Sequence, residues 1–245
     1  MVDVGRLDYR DWAHFKSDLV PDLFQHQPFS SGRYLFRGVG NADWTCMSAF
    51  DRRFANLSTV RRLATWDLLL KSFRELCLDH GVAPAIVDDD TRLLAFGQHF
   101  GLPTRLLDWS LSPYVATFFA FRTALSSSRT ARDVAIWILD TRSEVWSKEM
   151  GVELVSPPAM ENLRLHNQAG RFTLARTSFA TLEEHVRNCA VDAAPLVQAA
   201  LPASEAARAL PDLDAMGVNA AHLFPDITGL AESVTLRLEM SAFQE

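Results

Sequence analysis

The run "DVAIWILDT", residues 133–141, constrains the fold more than any other stretch. Between its two aspartates it is apolar and rich in β-branched residues, without the alternation of a strand that has one wet face. That pattern predicts a central strand covered on both sides. A chain holding such a strand must stack helices against a sheet. With 245 residues, 48% of them hydrophobic and 22% charged, there is enough apolar material for one sizeable core.

Around that strand most segments read as helix. Trp12, Phe15, Leu19 and Leu23 recur at helical spacing within 8–27, perturbed by Pro21. Residues 59–77 form a long amphipathic pattern. Asp88, Asp89 and Asp90 suit the start of a helix carrying Leu93, Leu94, Phe96 and Phe100 and stopping at Gly101. Ser112 as a cap and Pro113 at the first helical position open another. "TLEEHVRNC", the alanine-rich stretch 195–213 with Pro202 and Pro211 as breakers, and the segment from Phe224 complete the helices. Two further strands are predicted, "RYLFRGVG" ending in a glycine turn and "GRFTLAR"; "ADWTCMSAFDRRF" reads as a loop anchored by Trp44 and Phe50. The sum is a single α+β domain with a small mixed sheet over residues 30–245, on which an N-terminal helical segment, 1–29, packs.

Several function classes fall away. A net charge of -6 argues against a dedicated basic surface for nucleic acid, although a local patch is compatible with it. The three cysteines are far apart and form no CxxC pair, so neither a disulfide scaffold nor a metal site is expected. An acidic N-terminal stretch and the lack of any long apolar run predict a cytoplasmic chain with no membrane partner. The phosphate loop with its lysine, GxSxG, HExxH and a full GxGxxG are all missing.

Chemistry concentrates in "GQHFGLPTRLLDWSLSP", which places Gln98, His99, Arg105, Asp108, Trp109, Ser110 and Ser112 between two apolar helices. A self-satisfied corner, with Arg105 paired to Asp108 and His99 capping its helix, explains one or two of these residues; a turn does not need them all. Arg37 poses a similar question, because a guanidinium on a buried strand requires either a carboxylate or a ligand. Gln168, in "NLRLHNQAGRF", is either an exposed loop residue or a hydrogen-bond donor to a ligand. Glu161, Glu183 and Glu184 read as solvated helix ends.

Together "YLFRGVG", "LLAFGQHFGLPTRLLDWSLSPYVATFFAF", "NQAGRFTL" and "HLFPDITGLAES" resemble the FRG domain, named for the triplet seen here as Phe36, Arg37 and Gly38. The resemblance spans roughly residues 30 to 232 and implies a bacterial or phage-related protein. "YLFRGVG" and "DWSLSPYVATFFA" are also similar, more distantly, to elements of ADP-ribosyltransferases of the arginine-serine-glutamate type. That likeness implies a related core and NAD as substrate. Arg37 would hold the pyrophosphate, Gly38 would let the nucleotide approach the backbone, and Arg105, Ser110 and Ser112 would line the pocket. The family's catalytic glutamate has no counterpart in "NQAGRF", so His99, Asp108 and Gln168, or Glu161, are the expected catalytic group.

The resemblance implies transfer of ADP-ribose to a macromolecule, nucleic acid or protein, in a toxin or phage-defence setting, with a cognate antitoxin or phage protein as partner. Two alternatives stand beside it. One is a noncatalytic module that binds a nucleotide or nucleic acid through Arg37, Arg105 and Gln168. The other is a nucleotide or nucleic-acid hydrolase using His99 and Asp108.

Overall fold

The computed structural model describes residues 4–24, 32–126, 131–156, 167–189 and 194–241. Seven strands form one mixed sheet: β1 (Gly5–Asp8), β2 (Tyr34–Val39), β3 (Leu106–Ser110), β4 (Asp133–Asp140), β5 (Val152–Val155), β6 (Gly170–Ala175) and β7 (Leu196–Pro202). Their order is β1-β7-β4-β2-β3-β6-β5. Only β1 and β7 run parallel; every other pair is antiparallel. β4 pairs with β2 and β7 and is buried throughout its interior, as its composition requires.

The two faces of β4 meet different partners. Val134, Ile136 and Ile138 point into a core with α6 (Pro113–Ser126), α8 (Ala206–Ala215) and α10 (Ile227–Ser241), represented by Phe121, Leu210 and Leu236. The alternate residues Ala135, Trp137 and Leu139 pack against Trp146 and against Leu182 and Val186 of α7 (Leu182–Arg187). Each buried side chain of this size contributes roughly 1.5–3 kcal/mol by leaving water. A third cluster covers β3 and β6, where Phe50 of α2 (Ala49–Arg53), Trp66 of α3 (Thr59–Asp79) and Leu94 of α5 (Asp90–His99) pack on Leu106, Phe172 and Leu174. α4 (Pro84–Val87) and α9 (Ala220–Leu223) are single turns, and α1 (Trp12–Phe24) carries Pro21 within it. No helix of the described residues is long and apolar enough to cross a membrane.

The expected caps form. Asp89 accepts a hydrogen bond from the Arg92 N–H at 2.9 Å, and Ser112 Oγ accepts one from the Val115 N–H at 3.3 Å.

Four expectations change. The alanine-rich stretch is not continuous helix: residues 196–202 are β7, paired with β4 on one side and β1 on the other. The N-terminal segment is not helix alone, since β1 extends the sheet beside β7. Within the expected loop 42–54 lies α2, and Trp44 is 46% exposed, so of the two expected anchors only Phe50 is buried. β2 continues through Gly38 rather than turning there.

Gly38 has a packing role. A Cβ on it would lie 1.8 Å from the Ala116 carbonyl oxygen, so the glycine makes room for the backbone of α6.

Candidate functional site

β2 and β3 share a single register pair, Phe36 with Ser110, although each is fully paired on its other side. The two strands therefore part just beyond that pair, where Arg37 and Asp108 stand. Arg37 bridges the opening: its Nη1 donates to the Asp108 carbonyl at 2.8 Å and lies 3.7 Å from Asp108 Oδ2. Asp108 is held from a second side by Gln98, whose Nε2 donates to Oδ1 at 2.7 Å. Thr104 Oγ1 in turn donates to Gln98 Oε1, which fixes the amide with its nitrogen toward Asp108.

A cleft of about 370 Å³ opens at this point, lined by Arg37, Arg52, Arg53, Gln98 and Asp108 and floored by Leu102, Leu106 and Leu107. Three guanidinium groups against one carboxylate leave the lining two positive charges in excess. The Arg52 guanidinium registers this field. Partial burial and the nearby Arg37 charge pull its pKa below the usual arginine value, with Asp108 opposing. A further void, about 20 Å³ beside Phe118, Leu210 and Leu236, is too small for an organic ligand.

The sequence "SAFDRRF" explains how two adjacent arginines come to face the cleft. Ser48 caps α2 by accepting from the Asp51 N–H at 3.0 Å and donates to Asp51 Oδ2 at 2.7 Å. Asp51 is buried and receives Arg105 Nε at 3.1 Å and Nη2 at 3.0 Å, a two-pronged pair. Arg62 Nε also lies 3.2 Å from Asp51 Oδ1, but without the direction of a hydrogen bond. With Phe50 and Asp51 locked inward, Arg52 and Arg53 project to the cleft side of the helix.

The residues singled out from sequence separate into groups. Arg37 and Asp108 share the cleft. Arg105, expected to line the pocket or pair with Asp108, is 1% exposed and binds Asp51, the Thr177 carbonyl at 2.8 Å and the Phe179 carbonyl at 3.1 Å. Its donors are committed to joining β3, α2 and the strand exit after β6. Ser110 donates to the Gln168 carbonyl at 2.7 Å and accepts from the Ser112 N–H at 3.0 Å, while Ser112 caps α6. The Gln168 side chain donates to the Leu223 carbonyl at 3.2 Å. Ser110, Ser112 and Gln168 thus knit the end of β3 to the approach to β6 and to α9. His99 ends α5, exposed, its ring edge against Phe100. Glu161 lies outside the described residues. Gly38 faces α6 rather than the cleft.

Arg52 and Arg53 escaped sequence reasoning. The signal was present as an arginine pair after a helix-capping "SAFD" run, but only the strand splay shows what the pair faces. Glu183, expected to be solvated, is 4% exposed and accepts the Cys46 N–H with both carboxylate oxygens, at 3.0 and 3.1 Å. Burial raises its pKa, with the Cys46 hydrogen bond opposing. Among the described residues no three His, Cys, Asp or Glu side chains are grouped to hold a metal ion.

No curated protein and no solved structure matches the chain. The family model of the FRG domain matches residues 32–129, the stretch that supplies every residue lining the cleft, and supports the FRG family for this part of the chain.

Proposed function

We propose that the cleft binds the diphosphate of NAD and that the protein is an ADP-ribosyltransferase-like enzyme acting on a macromolecule. The observation that carries the reading is the grouping of Arg37, Arg52 and Arg53 around one cleft with a single carboxylate. Guanidinium groups present paired donors suited to phosphate oxygens and stay charged at all working pH values. Arg37 is the central ligand, because its bond to the Asp108 carbonyl orients the fork while leaving other donors for an anion.

Asp108 carries the reactive charge. In the transfer, the bond between the anomeric carbon and nicotinamide breaks, and its electron pair leaves with nicotinamide. A nucleophilic atom of the acceptor forms the new bond at that carbon and loses its proton to the Asp108 carboxylate. The same carboxylate stabilises positive charge developing on the ribose. Gln98 and Arg37 position it; Ser110, Ser112 and Gln168 hold the surrounding chain. A bacterial toxin or phage-defence setting fits this activity, with a cognate antitoxin or phage protein as its partner.

Incubation with NAD labelled in its adenylate, together with nucleic acid and cell lysate, tests the reading. Label should pass to a macromolecule and nicotinamide should be released; Asp108→Asn should abolish transfer while still binding NAD. Absence of both label transfer and nicotinamide release removes the enzymatic reading. A noncatalytic binding module is favoured by one observation, that Ser110, Ser112 and Gln168 are all engaged by the fold. Equal potency of Asp108→Ala and wild type in cells would select it.

A further inference from the structure

The outer face of α10 carries an uncovered apolar row. Ile227, Leu230, Val234 and Leu238 are each between 55% and 79% exposed, and their spacing of three, four and four residues sets them on one side of the helix. At 3.6 residues per turn these four and Ser241 fall within an arc of about 80°. The opposite side is fixed, with Gly229, Ser233 and Leu236 buried against the fold. Charged groups leave the row bare: Glu232 pairs with Arg122, and Arg237 lies 3.6 Å from Asp214. The exposed leucines of α3 differ, since Leu68 and Leu76 are interleaved with exposed Asp67, Lys71 and Glu75. An apolar row without charges has the composition of an interface centre.

The row is symmetric about Val234. Leu230 and Leu238 stand four residues to either side of it, and Ile227 and Ser241 seven. Two copies of α10 laid antiparallel around a two-fold axis at Val234 therefore match: Val234 meets Val234, Leu230 meets Leu238 and the reverse, and the long Ile227 meets the short Ser241. An isologous interface requires this self-complementarity.

We infer that the protein pairs with a second copy of itself through α10, as an antiparallel two-fold dimer. The contact is about 21 Å long and covers about 1,000 Å² over the two copies, the lower limit for a specific interface. The dimer is accordingly weak, with a dissociation constant on the order of 10 μM. It does not rest on the nucleotide reading of the cleft, whose lining lies wholly between residues 37 and 108.

Sedimentation equilibrium of the wild-type protein from about 1 to 200 μM tests the inference. The average mass should rise from that of one chain toward that of two. Val234→Asp, which sets two carboxylates against each other at the axis, should weaken association at least about a hundredfold. Circular dichroism should show it folded like wild type, and Leu68→Asp on α3 should still dimerise. A short bismaleimide tests the direction of pairing, because the native cysteines are all buried. Val234→Cys should cross-link to a dimer; Leu238→Cys alone should not, its two copies standing about 12 Å apart along the axis, while Leu230→Cys mixed with Leu238→Cys should. A single-chain mass throughout, undiminished association of Val234→Asp, or equal cross-linking of Leu238→Cys and Val234→Cys overturns the inference. Binding of a persistent monomer to phosphatidylcholine vesicles, lost in Val234→Asp, would assign the row to a lipid surface and overturn it as well.

Discussion

Replacing Arg105 with methionine separates a structural role from a ligand-binding one. The side chain keeps much of its length and loses its charge and donors. Asp51 retains the Ser48 hydroxyl and the Arg62 contact, but the Thr177 and Phe179 carbonyls and half of the Asp51 carboxylate lose their partners. The two side chains are 1% and 2% exposed, so water cannot enter cheaply to replace what is lost. Removing one member of a buried ion pair costs about 3–5 kcal/mol. For a domain of this size that lowers the melting temperature by roughly 6–20 °C. Urea unfolding followed by tryptophan fluorescence and by circular dichroism measures it, with Asp51→Asn and the double variant completing a cycle. The two single losses should overlap strongly, because both variants break one cluster. A loss under about 1 kcal/mol, or a normally stable Arg105→Met that no longer binds NAD, would refute the assignment of Arg105 to the fold.

Two further perturbations test the surroundings of the cleft. Gly38→Ala places a methyl group 1.8 Å from the Ala116 carbonyl oxygen and should destabilise by about 3 kcal/mol or more, as read by urea titration; a wild-type midpoint would contradict the close approach of α6. Glu183 has a folded pKa above its unfolded value, so the folded state binds the proton more tightly. Its contribution to stability is therefore full below the ordinary glutamate range and declines as pH rises through the raised folded value. Glu183→Gln should flatten that decline between acidic and neutral pH, and equal slopes in the two proteins would contradict it.

Much of the framework was legible because it follows from local rules. β4 needs two covered faces and receives them; Asp89 and Ser112 cap the helices their positions announce. β7 was hidden because alanine favours helix locally, while pairing with β4 and β1, set by residues far away in the chain, makes it a strand. That Arg37 needs an acceptor was legible, since a guanidinium on a strand requires one; the acceptor is Asp108, which local spacing had offered to Arg105. Arg105 was misjudged because its partner, Asp51, lies 54 positions away and no local pattern links them. Arg52 and Arg53 carried no local signal of their role, because what they face depends on both the parting of β2 from β3 and the Asp51–Arg105 pair that turns α2.

The most direct test of the central claim is calorimetric titration of NAD into the wild-type protein and into Arg37→Ala at one ionic strength. A charge-assisted bond to phosphate contributes about 1.5–3 kcal/mol, so the variant should bind roughly ten- to a hundredfold more weakly while unfolding within about 1 kcal/mol of wild type. NAD binding of equal strength in the two proteins, or none in either, would contradict the account.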